Sequence, residues 1–222
     1  TIASVKTAVW PKGEPEDSSM MDSNPTRENI MVVLDMSGSM SQSNCSGRFT
    51  NKSLAAKSAM RSWINSVDEK ANLGLVIFDS KGPSVHVPLG IDNRDKFAKA
   101  VNDAQPDGTT PLKTSINIAS MALEERAVYQ QGYGKYQIVV VTDGVHDADE
   151  DPKSALSAIF SNPANPIEIT TIGFCIDDSA LNQPGMTRYQ SARNPEELIK
   201  GLESVLAESE DFKPIQEFNN DA

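Results

Sequence analysis

Short apolar runs alternate with amphipathic segments along most of the chain. The runs "NIMVVLD" at 29–35, "NLGLVIFD" at 72–79 and "YQIVVVTD" at 136–143 are almost continuously apolar. Such runs are typical of strands that are covered on both faces of a sheet. Weaker runs predict three further strands, at 84–89, 167–176 and 187–192. The tight "DSKGPS" link predicts that the second and third strands form a hairpin.

Between the strands, apolar residues recur at the three- and four-residue spacing of helices. The predicted helices cover residues 56–67, 93–104 and 112–127, a segment that begins at Pro152, and residues 195–208. In two of them a polar residue that can cap the helix precedes a proline at the first position. These pairs are Asp151 with Pro152 and Asn194 with Pro195.

This alternation of strand and helix predicts an α/β fold. We expect a three-layer, doubly wound, mostly parallel central sheet with helices on both faces and one antiparallel edge strand. The most apolar run, 136–143, is placed near the centre. Ligands of such sheets bind outside the carboxyl ends of the strands. The residues that follow the central strands are therefore the first candidates for a site.

The two ends of the chain lack this alternation. Residues 1–28 carry Pro, Gly, Ser, Asn and charges without an apolar period, and they are predicted to form an N-terminal arm or linker. Residues 209–222 are predicted to form a C-terminal tail. One domain is therefore expected over residues 29–208.

The composition is that of a globular domain with an acidic surface. Of 222 residues, 38% are hydrophobic and 23% are charged, and the formal net charge is −11. An acidic surface disfavours nucleic acids and anionic membranes as partners, and it is compatible with cations or a basic protein. No apolar run approaches the roughly 20 residues that a membrane helix needs.

Oxygen-bearing side chains stand at the ends of two of the predicted strands. Asp35, Ser37 and Ser39 end or follow the first strand, and Asp143 ends the run at 136–143. Carboxylate and hydroxyl oxygens are hard donors, which Mg²⁺ prefers. A polar turn would by itself explain the first three residues. A second carboxylate at a neighbouring strand end favours a divalent cation site.

Three motifs, in this order along the chain, resemble a known family. The motif "DMSGSM" after an apolar strand, "DGTTPL" before a helix and "VVVTDG" at the end of a central strand are similar to those of the von Willebrand factor A domain. The resemblance covers about residues 29–208. It implies a metal-ion-dependent adhesion site, which is built from the motif D-x-S-x-S, a distant Thr and a distant Asp.

The resemblance assigns a role to each matching residue. It implies that Ser37 and Ser39 bind the cation directly. Asp35 and Asp143 are expected to act mainly through bound water or by orienting the hydroxyl groups. The cation is expected to be Mg²⁺, with Ca²⁺ or Mn²⁺ as alternatives. A protein partner is expected to complete its coordination with a Glu or Asp carboxylate.

The threonine of the site is open between two neighbours. Thr110 matches the G-T-P-L pattern of many family members, through Thr110, Pro111 and Leu112. Thr109 matches the G-T-x-T pattern of others. Thr110 is the preferred assignment.

Two further features lie near the predicted site. Cys45 follows the predicted metal-binding loop, and Cys175 ends the fifth strand. A disulfide and two free thiols are both compatible with these positions, because the sequence does not supply the Cα separation that a disulfide requires. The acidic segment "HDADED" at 146–151 is interpreted as a solvated loop with a helix cap, and a second cation site is the alternative.

The leading hypothesis is a non-enzymatic, metal-dependent protein-binding domain. A phosphotransferase of the haloacid dehalogenase type would need a second Asp two residues after Asp35 as its acid/base group, and this chain has Ser37 there. A regulatory module of a larger ATP-driven assembly, as in chelatase-like relatives, is a third hypothesis. The chain also looks similar to A domains of bacterial secreted, periplasmic or surface proteins, so an extracytoplasmic location is expected.

Overall fold

The computed structural model describes residues 8–17, 19, 21–176 and 180–207. In this part of the chain, six strands form one sheet with helices around it. The strands are β1 (Glu28–Asp35), β2 (Asn72–Asp79), β3 (Gly82–Gly90), β4 (Lys135–Thr142), β5 (Glu168–Phe174) and β6 (Arg188–Ala192). The helices are α1 (Lys52–Ile64), α2 (Arg94–Asp103), α3 (Leu112–Tyr129), α4 (Pro152–Phe160) and α5 (Pro195–Ala207). A short 3-10 turn at Gly38–Ser41 follows β1.

The strand order is β3-β2-β1-β4-β5-β6, with β1 and β4 at the centre. All neighbouring pairs are parallel except β2 and β3, which form an antiparallel hairpin at one edge. The predicted doubly wound α/β architecture, with its one antiparallel edge strand, is confirmed. The central place predicted for residues 136–143 is also confirmed, because β4 pairs with β1 on one side and β5 on the other.

Strand β1 is apolar throughout because helices cover both faces of the sheet. Ile30, Val32 and Leu34 pack in the layer that contains α1, α2 and α5. Met31 and Val33 point to the opposite layer, which contains α3 and α4. All five side chains are fully buried. A strand buried on both faces cannot alternate between polar and apolar residues, which accounts for the continuous run in the sequence.

The boundaries of α1 differ from the predicted range of residues 56–67. Asn51 caps α1, since its side chain accepts a hydrogen bond from the backbone N–H of Leu54. The apolar spacing predicted that this helix continues to Val67, but α1 ends at Ile64. Val67 is buried in the same core after the chain has turned. The periodic series therefore marks contact with the core, and it overestimates the length of the helix.

The proposed caps of α4 and α5 are both present. Asp151 accepts a hydrogen bond from the backbone N–H of Lys153 at 2.9 Å. Asn194 accepts one from the backbone N–H of Glu197 at 2.8 Å. These contacts satisfy N–H groups that have no partner inside the helix.

The described part of the N-terminal segment packs against the domain. Trp10 lies edge-on against Tyr136, with ring centroids 4.8 Å apart. Farther along, the backbone N–H of Asp22 donates to the carbonyl of Tyr129 at 3.0 Å. The predicted tail at 209–222 lies outside the described residues. No described helix is long and apolar enough to cross a membrane.

A disulfide joins two loops at the carboxyl ends of the strands. Cys45, beyond the 3-10 turn, is bonded to Cys175, the residue after β5, with a Cα separation of 5.8 Å. The bond spans 130 residues of sequence. It ties the loop after β1 to the loop after β5, which lies two strands away in the sheet.

Removing this disulfide is expected to destabilise the domain. Closing a long loop restricts the unfolded chain, and the loss of such a bond usually lowers the free energy of unfolding by about 2–4 kcal/mol. The double variant Cys45→Ser, Cys175→Ser should therefore unfold at a lower urea concentration than the wild type. Dithiothreitol should move the wild type to the midpoint of the variant and leave the variant unchanged. Equal midpoints for both proteins without reductant would contradict the expectation.

Candidate metal centre

The two central strands deliver the two aspartates to the same edge of the sheet. Asp35 is the last residue of β1, and Asp143 directly follows β4. The strands run parallel, with Leu34 opposite Val141, so Asp35 lies level with Thr142. Asp35 is fully buried and Asp143 is 6% exposed.

Asp35 is a buried carboxylate with a hydrogen bond to each oxygen. Its Oδ1 accepts from the backbone N–H of Ser37 at 2.7 Å, and its Oδ2 accepts from the Thr142 hydroxyl at 2.5 Å. Burial, and secondly the charge of Asp143, raise the pKa of Asp35 to about 6, although the hydrogen bonds from Ser37 and Thr142 oppose the rise. Asp35 is therefore mainly ionised at neutral pH.

The serine hydroxyls form a chain that leads from one strand end to the other. The Oγ atoms of Ser37 and Ser39 are 3.0 Å apart, and Ser39 donates to Asp143 Oδ1 at 2.7 Å. The 3-10 turn at Gly38–Ser41 brings Ser39 back over the end of the sheet. The structure thus brings Asp35, Ser37, Ser39 and Asp143 together, as the motif spacing predicted.

Thr110 reaches the same place from the loop before α3. Thr110 is 7% exposed, whereas Thr109 is exposed. A Cβ atom built on Gly144 would lie 3.1 Å from Thr110 Oγ1 and 3.4 Å from Ser39 Oγ, so both hydroxyls border the small space above this glycine. Of the two candidate threonines, Thr110 is the one that the fold turns toward the serines.

A glycine allows the threonine loop to approach the end of β2. Gly108 has a φ of +88°, a region that favours glycine, and a Cβ atom there would lie 2.7 Å from the carbonyl oxygen of Asp79. The Gly108 carbonyl in turn accepts from the backbone N–H of Gly38 at 3.1 Å. The loop that carries Thr110 is therefore attached directly to the loop that carries the serines.

The acidic segment 146–151 holds the threonine loop and the start of α3. The backbones of Asp147 and Thr110 are joined by a 3.2 Å hydrogen bond, and Asp147 Oδ1 accepts from the Thr110 N–H at 3.3 Å. Glu150 accepts from both the N–H and the hydroxyl of Thr114 at 2.7 Å. Among the described residues, no group of three His, Cys, Asp or Glu side chains is arranged to hold a metal. The contacts of this segment are those of a structural clamp.

Lys52, the first residue of α1, is part of the centre although its position in the sequence did not indicate it. Its ammonium group forms an ion pair with Asp143 Oδ2, and both side chains are almost inaccessible to solvent. Thr142 was also missed, although it directly precedes Asp143 in the "VVVTDG" motif. The sequence alone does not show whether a Lys or a Thr at these positions belongs to the site or only to the neighbouring core. The contacts depend on how helix and strand pack.

The donor set fits a hard divalent cation. In octahedral coordination at the 2.0–2.1 Å typical of Mg²⁺, neighbouring oxygens lie about 3.0 Å apart. The Ser37 and Ser39 Oγ atoms have this separation. The Ser39 and Thr110 hydroxyls border the space above Gly144. The carboxylates accept hydrogen bonds from the serine loop, Asp143 from the Ser39 hydroxyl and Asp35 from the Ser37 N–H. Ser37, Ser39 and Thr110 could hold such an ion, with Asp35 and Asp143 behind them.

Comparison with known families agrees with this architecture. The family model described as "von Willebrand factor type A domain" matches residues 30–146, which is more than half of the chain. The chain belongs to this family. The matched range includes all the oxygen-bearing side chains of the centre: Asp35, Ser37, Ser39, Thr110, Thr142 and Asp143. No curated protein matches this chain at a significant level.

Solved structures share the fold at low sequence identity. A von Willebrand factor type A structure from Catenulispora acidiphila is 19% identical with a TM-score of 0.66, and the match covers 83% of this chain and 43% of that one. The pilus adhesin SpaC from Lactobacillus rhamnosus GG is 16% identical with a TM-score of 0.62, covering 82% and 30%. Proximal thread matrix protein 1 from the mussel byssus, with a zinc-occupied MIDAS motif, is 17% identical with a TM-score of 0.64, covering 82% and 47%. The chain therefore spans less than half the length of each of these three proteins.

The buried charge of Asp35 is expected to make the metal-free domain less stable as the pH rises. The raised pKa means that the folded state binds the Asp35 proton more tightly than the unfolded state does. The stabilisation by this bound proton is fully present below pH 3.8 and is lost as the pH rises through about 6. Asn at this position carries no charge and keeps an oxygen for the Ser37 N–H. With EDTA present, the free energy of unfolding of the wild type should fall by roughly 3 kcal/mol relative to that of Asp35→Asn between about pH 4 and pH 7.5.

Urea denaturation of both proteins across this pH range measures the difference. Because EDTA removes divalent cations, the comparison reports on the carboxylate alone. A constant difference in stability between the two proteins across the range would contradict the raised pKa of Asp35.

Proposed function

We propose that this von Willebrand factor type A chain is a non-enzymatic protein-binding domain that depends on a divalent cation. Ser37, Ser39 and Thr110 bind the cation, and Asp35 and Asp143 orient the hydroxyl groups or bind its waters. A Glu or Asp carboxylate of a partner protein completes the coordination. Mg²⁺ is the cation that we assign, since the donors are all oxygen.

The observation that carries the proposal is the charge balance of the centre. The three groups that would contact the cation are neutral hydroxyls. Of the two carboxylates behind them, Asp143 is already paired with Lys52. A divalent cation would therefore keep a net positive charge after binding, and an anionic ligand from outside is the natural complement.

The surroundings of the centre support a protein partner. Val145, which directly follows the glycine of the centre, is 65% exposed and offers an apolar contact beside the cation. Asp149, in the neighbouring clamp segment, is also exposed. We propose that the carboxylate is presented on a surface that is otherwise neutral or basic, because the net charge of this chain is −11.

The chemistry of the centre supports binding over catalysis. A carboxylate nucleophile of the haloacid dehalogenase kind needs an acid/base partner two residues on, and Ser37 occupies that position. The Ser37 hydroxyl lies 3.0 Å from the Ser39 hydroxyl and also faces the Asp35 carboxylate, which is not followed by a second Asp. We therefore propose no reaction for this site.

An extracytoplasmic location is proposed from the disulfide. Structural disulfides persist in oxidising compartments and are rare in the reducing cytosol of mesophilic organisms. Cys45 and Cys175 are bonded beside the metal centre. A secreted, periplasmic or surface-attached protein, as in the bacterial relatives that the motifs resemble, is consistent with this bond.

The choice of threonine can be tested by metal binding. Thr110→Val removes the hydroxyl that borders the space above Gly144 and should weaken Mg²⁺ binding by about tenfold or more, a typical effect of perturbing a metal site. Thr109→Val is the matched control and should bind Mg²⁺ like the wild type, because this side chain is exposed. Isothermal titration calorimetry provides both dissociation constants. A larger loss in Thr109→Val would reverse the assignment.

The role of the partner carboxylate can be tested with displayed peptides. A library of peptides with a central Glu, and a matched library with Gln, are selected on the immobilised domain in Mg²⁺. Binders should come from the Glu library, should be released by EDTA, and should not bind Ser39→Ala. Binding that survives EDTA, or that is equal for Glu and Gln peptides, would refute a metal-completing carboxylate.

A further inference from the structure

We propose that Lys52 is a built-in competitor of the divalent cation. Its ammonium group neutralises Asp143 and lowers the affinity of the centre for the cation. The domain therefore stays assembled without metal and releases metal more readily than its oxygen ligands alone would allow. This inference rests on the proposed metal binding, and it assigns the control of metal affinity to a residue outside the family motif.

Lys52 is held in place from both of its ends. Its backbone N–H donates to the carbonyl of Gln42 at 2.8 Å, and its ammonium lies 3.4 Å from Gln42 Oε1. The side chain is 3% exposed, although it belongs to the first residue of a helix, where solvent is usually within reach. A lysine that is buried this completely needs a compensating charge, and Asp143 supplies it.

The ammonium and the proposed cation would share one carboxylate. Asp143 Oδ1 accepts from Ser39 Oγ at 2.7 Å, and Oδ2 pairs with Lys52. A cation bound to the Ser39 oxygen would thus have the Lys52 ammonium on the far side of the same carboxyl group. Because both side chains are shielded from water, the repulsion between the two positive charges is poorly screened.

The ion pair reduces the charge of Asp143 and leaves its second oxygen toward the serines. Oδ2 is paired with Lys52, and Oδ1 accepts from the Ser39 hydroxyl. An ionised carboxylate has about four lone-pair positions, so Oδ1 can still accept from a cation or its waters. Lys52 therefore lowers the negative charge at the centre without blocking it.

The test is Mg²⁺ binding by Lys52→Met, because Met keeps an unbranched apolar side chain and loses the charge. We expect Lys52→Met to bind Mg²⁺ about tenfold more tightly than the wild type, within the usual range of coupling between two binding events. In EDTA it should also be less stable than the wild type, and Mg²⁺ should raise its melting temperature by more. Calorimetry and thermal unfolding measure the two effects.

Lys99→Met is the matched control. Lys99 pairs with Asp103 on the surface of α2, with both side chains more than half exposed, so this variant changes the net charge equally without touching the centre. It should bind Mg²⁺ like the wild type. An equal gain in Mg²⁺ affinity in both variants would show that the effect comes from net charge, and it would overturn the proposed role of Lys52.

The outcomes separate this inference from the proposed function. If the wild type binds Mg²⁺ and Lys52→Met binds it equally or more weakly, Lys52 is no competitor, and the metal-dependent function stands. If neither protein binds Mg²⁺, the proposed function and the inference both fail.

A measurement on the wild type keeps the test independent of the folding of the variant. In a protein with isotope-labelled lysine, Mg²⁺ should shift the side-chain NMR signals of Lys52 and leave those of Lys99 in place. Mg²⁺ binding without any change at Lys52 would overturn the inference.

Discussion

The parallel pairing of β1 with β4 is the constraint on which the rest of the centre depends. With Leu34 opposite Val141, the two strands end level with each other, so Asp35 meets the Thr142 hydroxyl and Asp143 meets Ser39. Both strands are buried on both faces, so a shift in register would expose their apolar side chains or misplace those carboxylates. The packing of the core and the geometry of the centre are therefore specified by the same hydrogen-bond ladder.

The centre concentrates charge where the fold tolerates it least. Asp35 is fully buried, and its pKa is raised to about 6 mainly for that reason. Asp143 has an ammonium group as its partner, whereas Asp35 relies on a backbone N–H and a hydroxyl. An ionised Asp35 therefore lowers the free energy of unfolding of the domain, because the folded state holds this charge less favourably than water does.

Three connections tie four loops together around this buried charge. Backbone hydrogen bonds join Gly38 to Gly108 and Thr110 to Asp147. A disulfide joins Cys45 to Cys175. Each connection joins loops that are far apart in the sequence, so the hydroxyls are positioned by the fold as a whole. Loops supported in this way can present a site with little rearrangement, which favours binding of a partner.

The amino-acid sequence by itself determined the order of strands and helices, the antiparallel edge and the group of oxygen donors, because local periodicity and motif spacing record which faces are buried and which turns carry polar residues. Tertiary structure decided three matters. It turned Thr110 inward in place of Thr109, it joined Cys45 to Cys175, and it brought the Lys52 ammonium to Asp143. These depend on the direction of a side chain or on a distance between residues far apart in the chain. Such quantities are set by the packing of whole elements, and a linear pattern of hydrophobic and polar positions does not contain them.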